Sequence, residues 1–142
     1  MRASNTYQDC IEACNACAIA CNACFAECLK EAEVKMMTRC ISLDMDCAAM
    51  CTLAANAMAR NSEMAKHFCR LCSEVCLACA AECEQHHHDH CKECAQACRQ
   101  CAQRWLRSFE QLNPVAKRDP RGYAACIFAN GKAAKYASSG VP

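Results

Sequence analysis

The chain has 142 residues, with 16 Lys and Arg against 15 Asp and Glu, for a net charge of +1. That length suits one domain of ordinary size, and so balanced a charge projects no field that would draw nucleic acid or an acidic membrane surface. Leu, Ile, Val and Phe number 7, 4, 4 and 4 against 19 cysteines. An ordinary aliphatic core is thereby excluded, and alanine and cysteine must fill the interior, where a reduced cysteine behaves as a small hydrophobe.

All 3 glycines and all 3 prolines lie at or after Pro114, so residues 1–112 lack the usual breakers and read as nearly all helix. The first helix is predicted from about Asn5 to Glu31, with Ser4, Asn5 or Thr6 as its cap. It carries Cys10, Cys14, Cys17, Cys21, Cys24 and Cys28. The second, from about Glu33 to Arg60, carries Cys40, Cys47 and Cys51. Asn61 and Ser62 give the capping signal for a third, to about Glu84, with Cys69, Cys72, Cys76, Cys79 and Cys83. Asp89 caps a fourth, to about Leu112, with Cys91, Cys94, Cys98 and Cys101. Residues 113–142 form a C-terminal extension of unknown role, either a short Ala-rich helix over 121–136 or partly disordered. Its Cys126 stands outside any ladder, and a docking segment is the sharper alternative there.

Steps of three and four return to one side of a helix. In a bundle that side is the seam that ordinarily holds Leu or Ile; here it is thiol. Cys14 to Cys28 and Cys69 to Cys83 share the steps 3, 4, 3, 4, and both end in Ala-Glu-Cys. The chain therefore reads as two similar helical hairpins. Short connections favour an all-α, antiparallel, up-down-up-down four-helix bundle with a cysteine-lined core, ahead of a long coiled-coil pair between chains. Charged residues such as Glu12, Glu27, Arg39, Glu82 and Lys92 are expected on solvated outer faces.

Thiols three or four apart on one helix are too far separated for unstrained disulfides, which points to a soft metal ion. A Cu(I) ion that replaces one thiol proton leaves its site neutral, whereas a four-thiolate zinc site carries a charge of −2. Several such anions in one dry bundle would be costly, and thiolates select Cu(I). The runs are continuous helix without the turn glycines of zinc C-x2-C knuckles, and they lack the C-x2-C-x2-C-x3-C-Pro spacing of Fe–S ligation. Copper storage and buffering, with many Cu(I) ions held by the 18 ladder cysteines, is the leading reading. A zinc or Fe–S protein or sensor, a thiol oxidoreductase and a disulfide-stapled structural bundle stay open as rivals. No Ser-His-Asp set, paired carboxylates or phosphate loop suggests an enzyme.

The topology brings Met36, Met37, His86, His87, His88 and His90 to one end of the bundle, where their thioethers and imidazoles are expected to admit Cu(I) and pass it inward. Tyr7, Met58, Met64, His67, Trp105 and Phe109 belong near the other end, as a bulky plug. Met45 and Met50 are expected to pack. No segment has the apolar length to span a membrane, and no leader pattern opens the chain, so cytoplasmic, reduced thiols are expected.

Over about residues 7–105 the chain resembles the bacterial copper storage proteins, a cysteine-rich four-helix-bundle family. The resemblance rests on the helix-one ladder, on Met36-Met37-Thr38-Arg39-Cys40-Ile41-Ser42-Leu43-Asp44-Met45-Asp46-Cys47, on Cys69 to Cys83, on His86-His87-His88-Asp89-His90 and on Cys91-Lys92-Glu93-Cys94. It implies Cu(I) bound along the interior by the seam cysteines, with the histidine end as the opening. It also implies the cytosolic branch and assembly as a homotetramer. Copper ions are the expected partner, with a copper donor or acceptor protein as a further candidate at the His/Met end.

Overall fold

A computed structural model describes residues 7–112, with side chains described to Phe109. The expectations for Ser4, Asn5 and Thr6 and for the extension over 113–142, including Cys126, lie outside the described residues. Four helices follow in order: α1 (Gln8–Cys28), α2 (Thr38–Ala59), α3 (Ala65–Cys83) and α4 (Asp89–Leu112), with a 3-10 turn at Val34–Met37 before α2. Each helix packs on the next, and α1 packs on α4. Four elements in a closed ring joined by short connections give the expected up-down-up-down bundle.

The helix limits differ from the sequence reading at the turns. Helix α1 stops at Cys28 rather than Glu31, because its last carbonyls are taken by tight turns: Lys30 N–H donates to Glu27 O at 3.0 Å and Glu31 N–H to Cys28 O at 3.2 Å. The stretch expected to open α2 is the 3-10 turn, and the α-helix begins at Thr38.

Asn61 and Ser62 close α2 before they serve α3. Asn61 has φ 51°, its N–H donates to Met58 O at 3.0 Å, and Ser62 N–H donates to Ala57 O at 2.9 Å. These paired bonds with a left-handed residue form a Schellman ending. Ser62 then accepts from Met64 N–H through Oγ at 3.1 Å, so α3 starts at Ala65. At α4 the carbonyl of His88 takes the first bonds, from Cys91 and Lys92 N–H, both at 3.1 Å. Asp89 therefore sits in the first turn, where its charge suits the positive end of the helix dipole.

The interior is thiol and alanine. All 18 ladder cysteines are buried, at 4% exposure or less, with Ala54, Ala57 and Ala80 fully buried between them. Small side chains let the four backbones close around a narrow, densely filled column. Two expectations about methionine and charge are corrected. Met45 points outward at 55% exposure rather than packing, whereas Glu82, expected on an outer face, is 6% exposed. Arg39 makes that burial tolerable by donating to Glu82 Oε2 at 2.7 Å.

Candidate metal centre

The four ladders meet in layers because antiparallel helices with the same three-and-four step bring one seam position each to the same height. Cys14, Cys51, Cys72 and Cys101 form one four-thiol group, all sulfurs within 4.8 Å of one another. In the next layer Cys17 lies 3.8 Å from Cys47, 3.9 Å from Cys76 and 3.6 Å from Cys98. Nearer the histidine end, Cys40 lies 3.5 Å from Cys83, and Cys24 lies 3.9 Å from Cys91. Adjacent groups share members: Cys17, Cys21, Cys47 and Cys98 are mutually within reach, as are Cys21, Cys79, Cys94 and Cys98. The column is thus continuous, and an ion held in one group has the next group's sulfur at hand.

The described cysteines are free thiols. Their closest sulfur pairs stand 3.5 Å apart, far beyond the roughly 2.05 Å of a disulfide bond. Four sulfurs bound about 2.3 Å from one tetrahedral ion would lie about 3.8 Å from each other, which is the spacing of these layers. Burial pushes the Cys69 thiol up to about 12, and Cys28 likewise, chiefly by desolvation, to about 12. These groups hold their protons at neutral pH, so a metal must displace them.

One layer has a different fourth member. On α2 the seam runs Cys40, Asp44, Cys47, Cys51 in steps of 4, 3 and 4, and the fully buried Asp44 completes the ladder. Its Oδ1 accepts from Cys94 at 3.2 Å, Cys79 at 3.3 Å and Cys83 at 3.7 Å, and its Oδ2 from Cys40 at 3.8 Å. Burial, then the neighbouring Cys94 and Cys40, raises the carboxyl from 3.8 to about 9. The sequence reading misses Asp44 as a site residue because it follows the seam through cysteines alone. The gap of seven between Cys40 and Cys47, against threes and fours elsewhere, was the available signal.

At the mouth His90 sits over the last thiols. Its Nδ1 lies 3.5 Å from Cys24 Sγ, 3.5 Å from Cys91 Sγ and 3.9 Å from Cys28 Sγ. Its Nε2 faces Glu31 Oε1 at 3.0 Å. His86 Nε2 lies 3.2 Å from Glu82 Oε1, so the carboxyl that Arg39 holds also fixes this ring. An open groove of about 640 Å³ beside them is lined by Glu31, Met36, Met37, His86, His87 and His88, among others. Of the six residues expected here, Met37 is buried, Met36 is 71% exposed and His87 points to solvent. His90 stands against the sulfurs.

The opposite end is closed by Tyr7, Met58 and Trp105, all buried, with Phe109 tilted against Trp105 at 5.3 Å. Met64 and His67 are exposed and do not belong to this plug, because the turn at Asn61–Ser62 carries them outside the ring. Cys10 Sγ reaches Ser108 Oγ at 3.0 Å there. A cavity of about 10 Å³ lies between Cys10, Cys69, Cys101 and Trp105, and the indole Nε1 has no hydrogen-bond partner among the described residues.

The sequence profile of the copper storage proteins matches residues 3–108. The chain belongs to the copper storage protein family. It is 48% identical over 94 residues to the cysteine-rich protein YhjQ of Bacillus subtilis strain 168, covering 66% of this chain and 87% of that one. Among solved structures it is similar to Cu(I)-bound copper storage protein 3 of Bacillus subtilis, at 45% identity and a TM-score of 0.70, covering 72% of this chain and 97% of that one. The cytosolic copper storage protein of Streptomyces lividans, solved with five coppers, is 40% identical with a TM-score of 0.70, covering 72% of this chain and 91% of the other. Among the described residues no helix is long and apolar enough to cross a membrane.

Proposed function

We infer that this copper storage protein stores and buffers Cu(I) in the cytoplasm, with its 18 ladder cysteines as ligands and no catalytic role. The observation that carries the reading is the continuous stack of layers in which every helix contributes a donor. Sulfur spacing alone would admit any soft four-coordinate ion, and charge decides between them. Each Cu(I) that displaces one thiol proton adds no net charge to the column, whereas successive four-thiolate zinc sites would add about two negative charges each. Among the described residues no buried Lys or Arg lies there to offset them. The Cu(I)-bound relatives support the same choice of ion.

His90 is the uptake ligand in this reading, since its Nδ1 stands among Cys24, Cys28 and Cys91. His86 and Met37 line the approach, with Met36, His87 and His88 at its outer edge, where a copper donor or acceptor protein would meet them. Anaerobic Cu(I) titration of the reduced protein against a competing chelator tests the function. Uptake approaching one ion per ladder cysteine, with helicity unchanged, is expected. Saturation at one or two ions, or a preference for zinc at one per four thiols, would refute storage.

Assembly as a homotetramer belongs to the same reading. The outer faces of α1 and α2 expose Ile19 at 71% and Met45 at 55% among small residues such as Ala16, Ala23 and Ala49, whereas α4 exposes Lys92, Glu93, Arg99 and Arg104. Exposed apolar side chains such as these suit a second copy. Sedimentation of Ile19→Glu and Met45→Glu proteins should show dissociation, and an unchanged mass would remove these faces from the interface.

A further inference from the structure

We propose that Glu31, His88 and His90 form a site at the mouth for one divalent cation of the borderline class that thiols do not reduce, such as Zn(II) or Co(II), outside the thiol column and sharing only His90 with it. Two imidazoles from the start of α4 converge on a single carboxylate oxygen that follows α1. His88 Nδ1 lies 3.4 Å and His90 Nε2 lies 3.0 Å from Glu31 Oε1. The two rings are stacked, 5.2 Å apart and 6° from parallel, so both nitrogens are presented together.

An ion bound at about 2.0–2.1 Å to nitrogen and oxygen donors separates its ligands by roughly 2.9–3.4 Å. The two imidazole-to-carboxylate distances fall in that range, and small side-chain rotations would admit the ion. The donor set decides its class: two imidazoles and a carboxylate favour a borderline divalent cation, whereas Cu(I) prefers the sulfurs deeper in. Glu31 and His88 also line the open groove, which leaves room for water to complete the coordination.

The site has a consequence for copper uptake through His90. A neutral imidazole offers one lone pair and one N–H. With Nε2 bound to the divalent ion, the proton resides on Nδ1, and the face toward Cys24 and Cys91 becomes a donor instead of a ligand. Occupation of the outer site and coordination of Cu(I) by His90 at the first thiols therefore exclude one another.

Anaerobic titration of the reduced, metal-free protein with Co(II) is the test. The first equivalent should give visible d–d bands without the near-ultraviolet charge transfer of a thiolate–Co(II) bond. Glu31→Gln and His88→Ala should each weaken that binding roughly tenfold or more, with far-ultraviolet circular dichroism unchanged. His67→Ala, at the far end, should bind as the parent does. Thiolate charge transfer from the first equivalent, or a Co(II) affinity in Glu31→Gln and His88→Ala as high as in the parent protein, would overturn the site and leave Glu31 as a hydrogen-bond acceptor only. Either result is independent of the Cu(I) capacity that tests storage.

Discussion

Asp44 Oδ1 and Cys94 Sγ lie 3.2 Å apart in the interior of the bundle, a carboxyl at a seam position of α2 that faces Cys40, Cys79, Cys83 and Cys94. A carboxylate there would be an uncompensated buried anion. The carboxyl instead keeps its proton, raised to about 9 by burial and by the thiols around it.

The metal-free protein should therefore lose stability as pH rises. Unfolded, Asp44 releases its proton near its ordinary 3.8; folded, it keeps it to about 9. Between those values the folded state holds the extra proton, so the stabilisation is complete below 3.8 and is lost as the pH approaches 9. The slope from this one group is about 1.4 kcal/mol per pH unit. Asp44→Asn should remove that slope, as read by urea unfolding of the reduced apo-protein at pH 5, 6, 7 and 8 (about one pH unit apart). Parallel pH dependences for both proteins would mean that Asp44 is ionised in the fold.

His90→Ala should slow Cu(I) uptake more than it lowers capacity. It removes one imidazole from above Cys24, Cys28 and Cys91 and leaves every sulfur in place. Stopped-flow mixing with a Cu(I)–chelator complex should show a loading rate reduced by about tenfold, the scale of losing one positioned ligand. An unchanged rate would place the uptake route elsewhere.

Trp105, the single tryptophan of the chain, stands beside Cys10, Cys69 and Cys101 at the closed end. If copper passes inward from the histidines, its fluorescence should stay constant during the first equivalents and change only as the last layers fill. A change on the first equivalent would show that filling starts at the plug.

Asn61 tests the turn between the hairpins. Its φ of 51° costs a residue with a Cβ about 1–2 kcal/mol, less for Asn, whose side chain tolerates this region. Asn61→Gly should be neutral or slightly stabilising, and Asn61→Val should cost about 1–2 kcal/mol. Equal thermal midpoints for all three would argue against the Schellman ending.

The steps of three, four and, on α2, seven between cysteines were enough to place α1 to α4, turn their thiols inward and name the class of ion, because helical periodicity is local and each of these steps returns to one face. The absence of glycine and proline before Pro114 bounded the bundle in the same local way. What a single helix cannot express is height. Which sulfur of α1 faces which of α3, that Asp44 completes a layer, and that His90 reaches three thiols while His87 does not were decided when four helices closed into a ring and fixed their registers. The turns belong to that second category as well. Asn61 and Ser62 read as a cap for α3, yet the need to end α2 against its neighbours claimed them first and moved Met64 and His67 out of the plug. Glu82 shows the same division: its sequence position says solvent, and only the approach of Arg39 from α2 makes its burial affordable.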